Sequence, residues 1–337
     1  TANHFEKDYG LVLSCSVPLA GVLQLILTIS FLQRQNFKLH FNFPKFGGDI
    51  KRLIVIAIPA FLAGGVIQIN LLVGRQVASY FDGAIAWLSY ADRLYQLPLG
   101  VVGIAIGIVL LPNLSKAHEG KDFEKNSVIN RSAELALIFT LPATAALLII
   151  PYPLISVLFE RGAFNALDSE NTSNALFVYA LGLPAFIFQK IFSTIYFANE
   201  NTRSPFNFAL VGMLSNLILA VGLSPFFGYL APAIGTTISG WIITFLLWKN
   251  LKAFCFHFDT QFRNTLIKIL SATGLLSIFL FCADYTFSNI AFSHPQKIVA
   301  LVVVILVAAL LYLKICHILG LLTSFSQNLT QYTKKKS

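Results

Sequence analysis

Residues 84–114 read AIAWLSYADRLYQLPLGVVGIAIGIVLLPNL, with Asp92 and Arg93 as the sole charged side chains. As a straight helix rising about 1.5 Å per residue, the run would be about 46 Å long, against a bilayer hydrocarbon core of roughly 30 Å. It must therefore tilt, bend or project. Pro98 removes a backbone hydrogen bond midway, and Gly100, Gly103 and Gly107 offer a small-residue face for close helix approach. The stretch reads as a membrane-crossing helix with an irregular middle.

The rest of the chain agrees. Of its 337 residues, 56% are hydrophobic and 12% charged, where soluble domains carry about 25% charged residues, and the mean hydropathy is +0.72. An ordinary soluble enzyme is excluded. Nine apolar segments follow one another, at 9–32, 52–80, 84–114, 132–156, 173–198, 205–223, 228–248, 265–284 and 297–321. Turn chemistry separates them at Asp82-Gly83, at Arg161-Gly162 and from Asn199 to Pro205. The expected fold class is all-α, a polytopic membrane helix bundle with nine transmembrane helices. No window reads as a secretory signal, because the first run lacks a cleavage site. Segment 52–80 carries Pro59 and the Gly64-Gly65 pair. Bent, glycine-faced helices of this kind favour transport over plain anchoring, since irregular backbone lines cavities or moves during alternating access.

Lys and Arg are distributed with a strict alternation between the gaps. Seventeen fall in gaps on one side, including the Lys334–Lys336 tail, and three, Lys7, Arg161 and Lys297, on the other. The tail is expected to be cytoplasmic and Thr1 outside. An outside amino terminus is expected to need an odd number of helices upstream. The alternative is a self-sufficient nine-helix protein whose short, nearly neutral tail, His4 to Tyr9, translocates on its own. The net charge of +9 is thereby read as orientation and contact with anionic membrane lipids, with no nucleic-acid partner. Cys15, Cys255, Cys282 and Cys316 lie in or beside different apolar runs, and the six histidines are scattered. Neither set has metal-ligand or disulfide spacing, so no metal site is expected.

Charges inside the bilayer carry the functional signal, because each costs about 2.5–3.5 kcal/mol at a helix centre. Arg93 lies ten residues past Gly83, roughly 15 Å deep and near the midplane. Asp92 is its neighbour, but adjacent helical residues point about 100° apart, so one pair need not satisfy both groups. Lys190 lies nine residues before Asn199, roughly 13 Å from its helix end. Arg75 is expected to snorkel to the outer interface and Lys314 to the inner one. Gln68, Asn70, Asn216, Thr236 and Thr237 are uncharged polar groups within the runs. Guanidinium at mid-depth suits an anionic headgroup, since it bonds phosphate bidentately and stays charged. A pump for organic cations would place carboxylates there instead.

The stretch from Ala86 through Tyr90-Ala91-Asp92-Arg93-Leu94, Leu97-Pro98 and the three glycines to Leu114-Ser115-Lys116 resembles the signature helix of the MurJ/MviN lipid II flippases. These belong to the multidrug/oligosaccharidyl-lipid/polysaccharide exporter superfamily. Gln68-Ile69-Asn70, Phe159 to Phe164 and Thr202-Arg203-Ser204-Pro205 agree with it. The resemblance implies a fourteen-helix fold of which the nine segments are helices six to fourteen. Residues 1–8 would be an external tail, 9–32 the last helix of the first lobe, and 52–250 the second six-helix lobe. Residues 262–324 would be two additional helices and 325–337 the cytoplasmic basic tail.

By the same resemblance the chain would not be an enzyme. It would carry lipid II, an undecaprenyl-pyrophosphate-linked disaccharide-peptide, from the inner to the outer leaflet of the bacterial inner membrane. Arg93 would bind the pyrophosphate, with Asp92, Tyr90 and Lys190 around it. Some relatives bind sodium through carboxylates near positions matching Asn70, Asn216 and Ala220. Asn70, Asn216 and Thr236 are accordingly a candidate monovalent-cation site lacking those carboxylates. No cofactor is implied beyond coupling to such a cation or to the membrane potential. The missing amino-terminal helices would be partners in cis or as a separate chain. Two other readings stand beside this one: an exporter of another polysaccharide-lipid or of drugs, and a truncated, non-transporting lobe acting as a scaffold.

Overall fold

A computed structural model describes residues 9–34, 48–116, 122–251, 256–289 and 294–321. The tails expected at 1–8 and 325–337 lie outside the described residues. The chain divides into two compact units, Thr1–Leu53 and Ile54–Ser337. The first unit contains α1 (Tyr9–Arg34), with Pro18 inside it, and the first turn of α2 (Gly48–Ala78). Thr28 and Ser30 donate their hydroxyls back to the carbonyls of Gln24 and Ile26, at 2.8 and 2.7 Å. A helix meant for lipid must satisfy its polar groups in this internal way.

The second unit holds the rest of α2 and eight further helices. They are α3 (Ala84–Lys116), α4 (Asp122–Ile149), α5 (Pro151–Phe159), α6 (Ala166–Ala198), α7 (Arg203–Phe227), α8 (Ala231–Asn250), α9 (Thr260–Asn289) and α10 (His294–Ile318). A 3-10 turn, Gly228–Leu230, joins α7 to α8. Among the described residues every regular element is helical. Helix α6 is the spine of this unit. One face buries Ala175, Leu176 and Leu183 against Ala84, Leu88 and Ala91 of α3. Another buries Ile187 and Ile191 with Leu137 of α4 and Ile269 and Leu280 of α9. Side chains pointing away from these seams, such as Ile218, Ile278, Phe281 and Leu310, stay exposed and apolar, as a lipid-facing surface requires.

Six stretches are long and apolar enough to cross a membrane: 15–34, 126–149, 166–198, 203–250, 260–287 and 296–318. The 48-residue stretch contains both α7 and α8, so these six cover seven of the nine expected segments. Segment 52–80 is helical in α2 as far as Ala78, and 84–114 lies within α3; part of the side chains of both lie outside the described residues.

Most expected boundaries differ by a few residues, as where 265–284 becomes Thr260–Asn289, and three helices show why. The segment expected over 132–156 begins as helix at Asp122 and breaks at Ile150. Pro151 and Pro153 follow the break; proline is favoured in a first turn because it has no N–H to satisfy there. Helix α6 starts at Ala166, not 173, under a capping box. There the Asn165 side chain accepts from the N–H groups of Leu167 and Asp168, and Asp168 accepts from the Asn165 N–H at 2.9 Å. Helix α7 runs to Phe227, four residues beyond the expected end, and stops at Gly228 with φ 55°.

Candidate functional site

The second unit contains a cleft of about 100 Å³ whose walls come from four helices. Asn70, Leu71, Gly74, Arg75 and Ala78 line it from α2, and Ile85, Leu88, Ser89 and Asp92 with Tyr95 from α3. These positions recur at three- and four-residue spacing, which puts each set on one helical face. Tyr179 of α6 and Pro232 and Thr236 of α8 complete the lining. Gly74 packs against Pro232, where an added Cβ would lie 3.8 Å from the proline side chain.

Asp92 is half-buried and well supported. The Gln96 amide donates to it, and Arg75 of α2 lines the same cleft. Tyr95 in turn stacks on Tyr179, ring centroids 5.0 Å apart. The amino-terminal end of α3 is fixed independently. The Trp87 indole donates to Asp168 at 2.8 Å and meets the Tyr229 ring edge-on at 5.1 Å.

The expected binding residues separate in space. Asp92 lines the cleft. Arg93 is exposed on another face of α3 and takes part in neither of the ion pairs found among the described residues, which join Arg131 to Glu134 and Asp259. Tyr90 packs against Phe159 at 4.7 Å and Phe164 at 5.3 Å, between α3 and the α5–α6 loop. Lys190 is on α6, its ammonium reaching across to donate to the Leu99 carbonyl of α3 at 3.5 Å. It passes over Gly103, where a Cβ would sit 2.8 Å from Nζ.

The candidate cation residues do come together. Asn216 is fully buried, and its amide donates to Asn70 Oδ1 at 2.5 Å while its own Oδ1 has no partner. Thr236 lines the same cleft and donates to its own helix at Pro232 O, 2.8 Å away. All three offer neutral oxygens, and one is already engaged. The Arg75 guanidinium faces the same space, and its charge opposes a cation there.

Sequence reasoning placed Arg75 at the interface and passed over Ser89, Tyr95 and Tyr179. The signal for Arg75 was its register: Asn70, Gly74, Arg75 and Ala78 share one face, and that face meets Asp92.

Comparison with known proteins now bears on the site. The sequence profile of the family described as Lipid II flippase MurJ matches residues 1–322. The chain belongs to the MurJ family. Among curated members, "Probable lipid II flippase MurJ" of Rhizobium tropici is 42% identical over 240 residues, 71% of this chain and 45% of that protein. Its namesake in Rickettsia prowazekii is 31% identical over 280 residues, 82% of this chain and 55% of the relative. A solved structure, "Lipid II flippase MurJ, inward closed conformation", superposes with a TM-score of 0.65 at 29% identity, covering 83% of this chain and 57% of that one. The chain thus spans about half the length of the MurJ relatives it matches.

Proposed function

We propose that this chain provides the carboxy-terminal part of a lipid II flippase, with α1 closing the first lobe and helices within 52–250 forming the second. The observation that carries the reading is Arg93, an exposed guanidinium without an ion-pair partner among the described residues, on an otherwise apolar helix. Such a group is expensive in lipid unless an anion meets it. The pyrophosphate of a polyprenyl-linked sugar supplies that anion, and family membership supports lipid II as the cargo.

In this reading Arg93 grips the pyrophosphate, Lys190 of α6 offers a second cationic contact beside Leu99 and Gly103 of α3, and Tyr90 holds the outer end of α3 in place. No bond is made or broken, and the cargo crosses as the helices rock between inward and outward forms. The Arg75 guanidinium faces the space beside Asn70 and Thr236, so this reading runs no step through a cation there. The membrane potential supplies the drive: an interior-negative potential favours outward movement of an anion by about 2.3 kcal/mol per charge per 100 mV. The protein sits in the bacterial inner membrane with its Lys334–Lys336 tail in the cytoplasm, nine helices crossing, and the remaining helices of the first lobe supplied in cis or by a separate chain.

The test is replacement of the native gene by an Arg93→Ala version in cells that depend on it. Outer-leaflet lipid II should fall to a small fraction of the wild-type amount, and cells should lyse. Wild-type levels at equal protein abundance would overturn the reading.

A further inference from the structure

Gly103 lies inside the long helix α3, where glycine weakens a helix relative to alanine, so its presence there asks for a cause. Backbone conformation is not the cause, since its φ lies outside the left-handed region that Gly83 occupies. Close helix approach, the expectation drawn from the sequence, is not the cause either. The three atoms nearest to a Cβ at 103 all belong to the Lys190 side chain, Nζ at 2.8 Å and Cδ and Cε at 3.9 Å. What approaches α3 at this point is an ammonium. It is exposed and lightly anchored, donating to the Leu99 carbonyl at 3.5 Å, and a group with three donors has capacity left for an anion. Leu99 lies six residues beyond Arg93, about 9 Å along the helix axis. Between the two cations α3 presents an open floor: Gln96, Leu97 and Gly100 are exposed, and a Cβ at Gly100 would meet nothing within 4 Å.

We propose that Gly103 is a positioning residue for anion binding: by lacking a side chain it seats the Lys190 ammonium of α6 against α3, as a second cation on the exposed strip that carries Arg93. The assignment rests on the proposed roles of Arg93 and Lys190 and adds to them a residue that bears no charge. Lysine carries its ammonium on a flexible four-carbon stem. Unseated, the cation would spread over many positions, and holding it for an anion would cost affinity. Gly103 therefore acts through Lys190 and does not touch the ligand. Once Lys190 has lost its charge, a side chain at 103 has nothing left to displace.

The experiment is calorimetric titration of the detergent-purified full chain with inorganic pyrophosphate, with the unfolding midpoint of each protein measured alongside. The variants are Arg93→Gln, Lys190→Met, Gly103→Ala, Gly103→Leu and the Gly103→Ala/Lys190→Met double variant. Arg93→Gln should abolish binding, and Lys190→Met should weaken it about tenfold, the size of one hydrogen bond to a charged group. Gly103→Ala should weaken it about threefold, because the cation is displaced and not removed. Gly103→Leu should approach Lys190→Met, since a longer side chain drives the ammonium farther. The unfolding midpoint of Gly103→Ala should be no lower than that of wild type. In the Lys190→Met background, adding Gly103→Ala should change affinity by less than about twofold. A further threefold loss there would mean that the new methyl group meets the anion directly or shifts Arg93, and it overturns the proposal. A lower midpoint for Gly103→Ala assigns the glycine to packing and overturns it too. So does unchanged binding by Gly103→Ala or by Lys190→Met while Arg93→Gln has lost it, an outcome that leaves Arg93 as the site. Retained binding by Arg93→Gln, or none by wild type, removes the proposed function and this inference with it.

Discussion

Gly235 of α8 sits where an added Cβ would lie 2.5 Å from Asn216 Oδ1, 3.1 Å from the Asn216 carbonyl and 3.2 Å from the Ala220 nitrogen. Two of those three atoms are backbone, which cannot rotate away, so any side chain must push α7 and α8 apart. Gly235→Ala should therefore destabilise the protein by about 1–3 kcal/mol, read as a lower unfolding midpoint in detergent. Gly103 is the contrasting case, because the atom its Cβ would meet is the flexible end of Lys190. This scale was the least legible from sequence. Arg93 and Asp92 announce themselves as charges within an apolar run. Arg75 did not, because counting its residues from the nearest turn gives its depth but not the face it shares with Asn70 and Gly74. Tyr95 and Tyr179 were silent for a different reason: an aromatic ring in an apolar helix is ordinary until its neighbours are known.

Helices are held to one another by a few polar ties set among many apolar contacts. At one end of α4, Arg131 pairs with Glu134 and reaches Asp259, ahead of α9, at 2.5 Å. Asn130 donates to the His257 carbonyl at 3.1 Å. Farther along, the Tyr312 hydroxyl of α10 donates to Ile138 O at 2.8 Å, and Lys268 of α9 reaches Leu319 O at 3.0 Å. Arg131→Met would leave Glu134, 8% exposed, without its cation. The expected loss is about 2 kcal/mol, less than for a fully buried pair because Asp259 is partly solvated. Hydrogen exchange should show it as faster exchange in the first turns of α9, with α6 unchanged. Element existence was largely readable from hydropathy, whose runs anticipate most of the helices. Hydropathy could not separate α4 from α5, since composition stays apolar through Ile149, Ile150 and Pro151. Backbone chemistry, not side-chain polarity, makes that break.

For the whole molecule the strongest sequence statement concerns direction. Seventeen basic residues fall in gaps on one side of the expected spans and three on the other, an asymmetry large enough to set topology. In a variant whose four cysteines are replaced by serine, Ala163→Cys should react in intact cells with a membrane-impermeant maleimide. Lys249→Cys should react only after the cells are opened. The opposite labelling would invert the arrangement and place the α5–α6 loop in the cytoplasm.

The opposition of Arg75 and Asp92 also bears on how the protein is made. Helix α2 leaves the ribosome first, carrying in its last turn a cation, Arg75, that lipid resists, though less than the roughly 2.5–3.5 kcal/mol of a helix centre. The compensating carboxylate is on α3, beyond a turn whose Gly83 adopts φ 82°. Neither helix is a comfortable passenger alone, while the two folded back on one another bring opposite charges to the same cleft. They are accordingly expected to enter the bilayer together, as one hairpin, with α2 waiting at the insertion machinery until α3 has been translated.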